Sequence, residues 1–119
     1  MRVLIVDDDD LMLEACAEAL SVRGHETRST DGVGALKALA TESWDAVVVD
    51  ILMPNVDGLE VIGAARRLTR PPLILAMSGG GRIPADECLS LAGGLGADRV
   101  LSKPLDFSAL TRSIETPIP

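Results

Sequence analysis

Short apolar runs alternate with longer helical patterns five times along the 119-residue chain, and this order predicts an α/β domain with a parallel sheet. Most of the runs consist of Val, Leu, Ile and Ala without polar alternation, which is typical of strands buried on both faces. The run Glu26–Thr30 alternates charged and small residues instead, so we expect it at an edge of the sheet. The predicted strands are Val3–Val6, Glu26–Thr30, Ala46–Val49, Leu73–Met77 and Arg99–Ser102.

Helical patterns fill the intervals between these strands. Asp10 is a good N-cap for the first helix, and Gly24 stands where a helix often ends in a left-handed residue. The predicted helices are Leu11–Arg23, Val33–Thr41, Leu59–Leu68, Ala85–Leu95 and Ser108–Glu115. Right-handed crossovers between successive strands place helices on both faces of the sheet. Five such units predict a flavodoxin-like, doubly wound sheet with the strand order 2-1-3-4-5.

Composition and charge limit the class of protein. The chain fits one domain, residues 1–119, and its 47% of hydrophobic residues can form a core without disulfides or a structural metal. Trp44 and Phe107 are the only two residues among Phe, Trp and Tyr, so we expect an aliphatic core. The net charge of −7 and the lack of a Lys/Arg cluster argue against direct nucleic-acid binding.

Features of targeting and redox chemistry point to the cytoplasm. No apolar run approaches the roughly 20 residues of a membrane span. The N-terminal run meets Asp7 too early for a signal peptide. Cys16 and Cys88 lie in apolar patterns without metal-ligand spacing, so we expect reduced, buried thiols. The sequence therefore predicts a cytoplasmic protein with no membrane partner.

Polar side chains stand at the carboxyl ends of four predicted strands. Asp7 and Asp8 follow the first strand, Asp50 follows the third, Ser78 follows the fourth and Lys103 follows the fifth. In an open parallel α/β sheet, ligands bind beyond these ends, near the point where the strand order switches. The first and third strands are neighbours at that point, so the three aspartates should come together.

Three carboxylates this close repel one another and would destabilise the fold unless a cation lies among them. Mg²⁺ is the best candidate, because it binds through one or two carboxylates together with waters and phosphate oxygens. The neighbouring Asp9 and Asp10 have a different interpretation, as a solvated loop and helix cap.

Four segments of the chain resemble the signatures of bacterial response-regulator receiver domains. They are Val-Leu-Ile-Val-Asp-Asp-Asp (3–9), Val-Val-Val-Asp-Ile-Leu-Met-Pro-Asn-Val-Asp-Gly (47–58), Ala-Met-Ser (76–78) and Leu-Ser-Lys-Pro (101–104). The segments occur in the family's order and spacing and cover nearly the whole chain. By position, the resemblance implies that Asp50 is the phosphoacceptor, whose carboxylate attacks phosphorus to give an acyl phosphate.

The same resemblance implies roles for the surrounding residues. Asp8 would bind Mg²⁺ directly, and Asp7 would hold the ion through water. The backbone carbonyl of Leu52 would supply another metal ligand. The Ser78 hydroxyl and the Lys103 ammonium would each contact a phosphoryl oxygen. Such an assembly is sufficient in principle, because phosphoryl transfer mainly needs positioning and charge neutralisation.

Four other positions carry expectations of their own. Val100 stands three residues before the lysine, where the family usually carries Tyr or Phe, so the family's aromatic switch is missing. Gly58 is expected to supply an unusual backbone angle in a turn. His25, at the opposite end of the sheet, is expected to be a surface turn residue. Trp44 is expected to anchor packing near that end.

The resemblance implies a signalling phosphoacceptor rather than an enzyme acting on a separate substrate. A histidine kinase or histidine phosphotransfer protein would donate the phosphoryl group. A downstream protein target or effector domain would respond to a surface around the last strand and the last two helices. Two alternatives stay open: a pseudo-receiver that only binds partners, and a small Asp-nucleophile metal phosphatase. The sequence does not distinguish a single-domain regulator from part of a longer protein.

Overall fold

Five parallel strands form one sheet in the computed structural model, which describes residues 1–51, 58–78, 94, 96–103 and 105–116. The strands are β1 (Arg2–Val6), β2 (Glu26–Thr30), β3 (Ala46–Asp50), β4 (Leu73–Ser78) and β5 (Arg99–Ser102). Their order is β2-β1-β3-β4-β5, with every neighbouring pair parallel. The predicted doubly wound α/β fold, its strand order and the edge position of Glu26–Thr30 are confirmed.

Four helices lie within the described residues: α1 (Asp10–Val22), α2 (Gly32–Thr41), α3 (Gly58–Arg66) and α4 (Phe107–Glu115). None of the four combines the length and apolar character that crossing a membrane requires. The helix predicted at 85–95 lies almost wholly outside the described part of the chain.

The N-terminus of α1 differs from its prediction by one residue. Asp9, rather than Asp10, is the N-cap, because its carboxylate accepts hydrogen bonds from the N–H groups of Leu11 and Met12. Gly24 follows the C-terminus of the helix with a φ of +89°, as expected for a left-handed residue there.

Side chains of the central strands alternate between two hydrophobic layers, one on each face of the sheet. The layer that includes α2 and α3 contains Leu4, Val6, Ala35, Leu39, Val47, Val49, Val61, Ile62, Ala65, Ile74 and Ala76. The layer that includes α1 and α4 contains Val3, Ile5, Cys16, Leu20, Val48, Leu75, Met77, Leu110 and Ile114. Each large aliphatic side chain buried in this way contributes about 1.5–3 kcal/mol to folding. The aliphatic core therefore holds the carboxyl ends of the strands at one common edge.

Two predictions concern the opposite end of the sheet. Trp44 packs there as expected: its indole N–H donates to the carbonyl of Ala38 at 3.0 Å, and the residue is buried. His25 follows the turn after α1, as expected, and its side chain is only 9% exposed. The His25 ring lies against Glu115, the last residue of α4, with Nε2 at 3.1 Å from Oε1.

Candidate functional site

Two of the predicted aspartates are buried at the carboxyl edge of the sheet because their strands are neighbours. β1 pairs with β3 in the register Val6↔Val49, so Asp7 and Asp50 follow at the same level. Asp7 is 0% exposed and Asp50 is 4% exposed. The backbone N–H of Asp7 donates to the carbonyl of Thr30 in β2 at 3.2 Å. The main chain of the edge strand therefore helps to fix the position of Asp7.

Asp8 completes a group of three carboxylates. One carboxylate oxygen from each of Asp7, Asp8 and Asp50 lies within 4.8 Å of the other two. Asp8 itself is exposed, so the group is accessible from solvent. Carboxylate oxygens are the ligands that hard cations such as Mg²⁺ prefer. The donor set brought together here fits the ion expected from the sequence.

Asp9 has a structural role beside this group. Its carboxylate caps α1, and its N–H donates to Asp7 Oδ1 at 3.1 Å. This hydrogen bond orients the Asp7 carboxylate. Asp10 is exposed in the first turn of α1. Both positions agree with the interpretation of these two aspartates as loop and cap.

Lys103 reaches the carboxylates from the end of β5, two strands away from β3. Its Nζ lies 2.9 Å from Asp7 Oδ2 and 3.1 Å from Asp50 Oδ2. Burial lowers the pKa of Lys103, but the hydrogen bonds and charges of the two aspartates outweigh burial, so the pKa is raised overall. The ammonium is therefore charged at neutral pH and partly neutralises the group. The contact of Lys103 with Asp7 is not predicted by the sequence, which pairs Lys103 only with a phosphoryl oxygen.

Part of the predicted site lies outside the described residues. Leu52, with its proposed carbonyl ligand, is not among them. The backbone of Ser78 pairs with Ser102, which places Ser78 at the carboxyl end of β4, beside β3. The side chain of Ser78 is outside the description, so its contact with a phosphoryl oxygen stays a prediction.

Gly58 is described, and the prediction of an unusual backbone angle is wrong. Among the described glycines, Gly24 and Gly96 have positive φ, and Gly58 does not. A Cβ atom on Gly58 would instead lie 2.0 Å from the carbonyl oxygen of Asp50. The reason for glycine at this position is the close approach of two backbones, which no local sequence pattern reveals.

Val100 lies in β5, three residues before Lys103. Its side chain is half-buried and packs against the hydrophobic layer of α2 and α3. A β-branched side chain has few rotamers, so this position offers no ring that could turn between two states.

Comparisons with known proteins agree with the fold. The chain is 36% identical over 113 residues to the response regulator MprA of Mycobacterium avium, which covers 92% of this chain and 47% of the relative. It is 34% identical over 111 residues to the transcriptional regulatory protein TcrA of Mycobacterium tuberculosis, covering 92% and 43%. The chain thus spans about half the length of these curated relatives.

Solved structures and a family model extend the comparison. A CheY-like response regulator receiver domain protein from Methanospirillum hungatei superposes with a TM-score of 0.85 at 25% identity, covering 96% of this chain and 90% of that one. The family model of the response regulator receiver domain matches residues 3–115. This segment contains both buried aspartates and the lysine that contacts them. The chain therefore belongs to the response regulator receiver domain family.

Proposed function

We propose that Asp50 accepts a phosphoryl group in a Mg²⁺-dependent reaction and that this change switches a protein-binding surface. One observation carries the proposal. The Asp50 carboxylate lies at the carboxyl end of the central strand, with oxygens of Asp7 and Asp8 within 4.8 Å and the Lys103 ammonium at 3.1 Å. A nucleophile, a set of metal ligands and a cation are thus available around one point.

The proposed reaction is a displacement at phosphorus. A carboxylate oxygen of Asp50 forms the new P–O bond while the bond to the donor breaks, and the donor leaves with that electron pair. Bound Mg²⁺ would neutralise part of the negative charge on the phosphoryl oxygens. Lys103 is close enough to pair with a phosphoryl oxygen carried by Asp50. The Ser78 hydroxyl is proposed as a further contact and the Leu52 carbonyl as a further metal ligand.

The proposed partners follow from this chemistry. A histidine kinase or a histidine phosphotransfer protein would donate the phosphoryl group, and a downstream protein target or effector domain would respond to it. Support comes from the relatives, which are named a response regulator and a transcriptional regulatory protein and are about twice as long as the matched segment. In this proposal the domain itself receives the phosphoryl group and converts no separate substrate. It would therefore act as a signalling acceptor rather than as an enzyme. Cytoplasmic location and the absence of nucleic-acid binding stay predictions.

The acceptor is tested by incubating the protein with a small-molecule phosphodonor, with Mg²⁺ or with EDTA, followed by intact mass measurement. Wild type should gain one base-labile phosphoryl group only with Mg²⁺, and Asp50→Asn should gain none. Asp10→Asn is the matched control, because it makes the same chemical change at an exposed residue near the site. Labelling of Asp50→Asn at the wild-type level, or a label on histidine, would show that the acceptor is wrong. A wild-type protein that gains no phosphoryl group would favour the alternative of a pseudo-receiver that only binds partners.

A further inference from the structure

Two aspartate side chains form successive turns with the backbone at the start of α1. Asp7 Oδ1 accepts a hydrogen bond from the N–H of Asp9 at 3.1 Å. Asp9 Oδ1 in turn accepts from the N–H groups of Leu11 at 3.0 Å and Met12 at 3.4 Å. In both turns a short carboxylate side chain binds the backbone two residues ahead, which fixes the main chain between them. Asp8 lies inside the first turn and is therefore held in place from both sides.

The conformation of Asp9 fixes where its N–H lies relative to α1. Asp9 has φ −93° and ψ 109°, the extended conformation of an N-cap, while its carbonyl already accepts from the N–H of Leu13 at 3.0 Å. The hydrogen bonds of the Asp9 side chain stabilise this conformation, because they satisfy N–H groups that have no partner within the helix. Without them the first turn of α1 would fray, and the position of the Asp9 N–H would no longer be fixed.

The carboxylate of Asp7 is oriented by partners on both of its oxygens. Oδ1 accepts from the Asp9 N–H, and Oδ2 accepts from the Lys103 ammonium at 2.9 Å. The backbone N–H of Asp7 is bound separately, to the carbonyl of Thr30. Of these three partners, the Asp9 N–H is the one that lies in the same segment as Asp8. Asp9 therefore sets the position of the buried Asp7 carboxylate relative to the exposed Asp8.

We propose that Asp9 is a positioning residue for the Mg²⁺ site of Asp7, Asp8 and Asp50, and that it acts through Asp7 rather than by binding the ion. The Asp9 side chain orders the first turn of α1, and the ordered turn presents the Asp9 N–H to the Asp7 carboxylate. The inference rests on the proposed function, because it concerns the same metal site. It implies that the ability of residue 9 to cap the helix, and not only its charge, controls metal affinity.

Two variants of Asp9 separate the cap from the charge. Asp9→Asn and Asp9→Ala lose the same negative charge, but asparagine caps a helix about as well as aspartate, whereas alanine does not. Asp106→Ala is the matched control for the loss of a cap. Asp106 caps α4 with nearly the same geometry, φ −86° and ψ 110°, and accepts from the N–H groups of Ser108 at 2.9 Å and Ala109 at 3.3 Å.

The decisive measurement is Mg²⁺ affinity by titration calorimetry at a temperature where circular dichroism shows each variant to be folded. We expect Asp9→Ala to bind Mg²⁺ about 10-fold more weakly than Asp9→Asn, the lower end of the usual effect of removing a group that orients metal ligands. Asp106→Ala should bind as wild type does. Equal affinities of the two Asp9 variants would overturn the inference, and so would an Asp106→Ala affinity as low as that of Asp9→Ala. Either result leaves the proposed function intact, whereas absence of Mg²⁺ binding by wild type would overturn both.

A second measurement on the wild-type protein decides the matter if Asp9→Ala does not fold. Coupling between a ligand site and a second element is reciprocal, so Mg²⁺ bound by the three aspartates should stabilise the first turn of α1. Amide hydrogen exchange at Leu11 and Met12 should therefore slow in Mg²⁺ relative to EDTA by a larger factor than exchange at Ser108 and Ala109 in α4. An equal change at the two helix starts would overturn the inference.

Discussion

Replacing Lys103 with methionine keeps a long, unbranched side chain but removes the ammonium that contacts Asp7 at 2.9 Å and Asp50 at 3.1 Å. Both aspartates are almost completely buried, at 0% and 4% exposure. Without divalent metal, they would lose the cation that they share. We therefore expect Lys103→Met to lower the free energy of unfolding when metal is absent.

The structure sets the size of this effect. Removing one partner of a fully buried ion pair costs about 3–5 kcal/mol, whereas an exposed pair contributes only about 0–1 kcal/mol. The side chain of Lys103 is 19% exposed, so solvent screens part of the interaction. We expect a loss of about 2–3 kcal/mol, between these limits. At an m-value of roughly 1.5 kcal/mol/M, this loss lowers the urea midpoint by roughly 1–2 M.

Mg²⁺ should restore more stability to the variant than to wild type, because the ammonium and the metal would compete for the same carboxylates, Asp7 and Asp50. A ligand present at 100 times its dissociation constant stabilises a protein by about 2.7 kcal/mol. Binding that is tenfold tighter in the variant would add about 1.4 kcal/mol to its gain at the same Mg²⁺ concentration. The difference between the proteins should therefore shrink as Mg²⁺ is added.

Urea unfolding followed by the fluorescence of Trp44, the single tryptophan, measures both effects in EDTA and in Mg²⁺. Lys37→Met is the control, because Lys37 is exposed on α2 and the same change there should leave the midpoint nearly unaltered. A Lys103→Met midpoint equal to that of wild type in EDTA would refute the stabilising role of the ammonium. Equal Mg²⁺ gains in the two proteins would refute the competition.

Two further predictions concern the opposite end of the sheet. Hydrogen bonds from Arg23 and His25 lower the pKa of Glu115 from 4.5 to about 2. Wild type should therefore have a higher free energy of unfolding than Glu115→Gln above pH 4.5, and this difference should disappear as the pH falls toward 2. Urea midpoints of the two proteins at pH 7 and pH 3 measure the difference. A difference that does not change with pH would contradict the prediction. Trp44→Phe removes part of a buried ring and the indole N–H that donates to the Ala38 carbonyl at 3.0 Å. The free energy of unfolding should therefore fall by about 1–3 kcal/mol, as measured by circular dichroism melting. An unchanged melting temperature would exclude the role of Trp44 as a packing anchor.

Local sequence patterns were sufficient to predict the sheet and the edge at which its polar residues meet. Runs of Val, Leu and Ile without polar alternation are stable as strands only when helices cover both faces. Side chains that follow parallel strands then share one edge, and right-handed crossovers leave few possible strand orders. The convergence of Asp7, Asp8 and Asp50, with Lys103 nearby, follows from these rules.

Contacts between elements distant in sequence depended on the tertiary structure. The second contact of Lys103, with Asp7, joins residues 96 positions apart and depends on where the end of β5 lies relative to β1. Gly58 shows no distinctive angle, and its requirement appears only once α3 packs against Asp50. Glu115 meets His25 because α4 returns along the sheet beside α1. Such distances depend on how side chains of different helices and strands fill a common core, and the periodicity of any single segment carries no information about them.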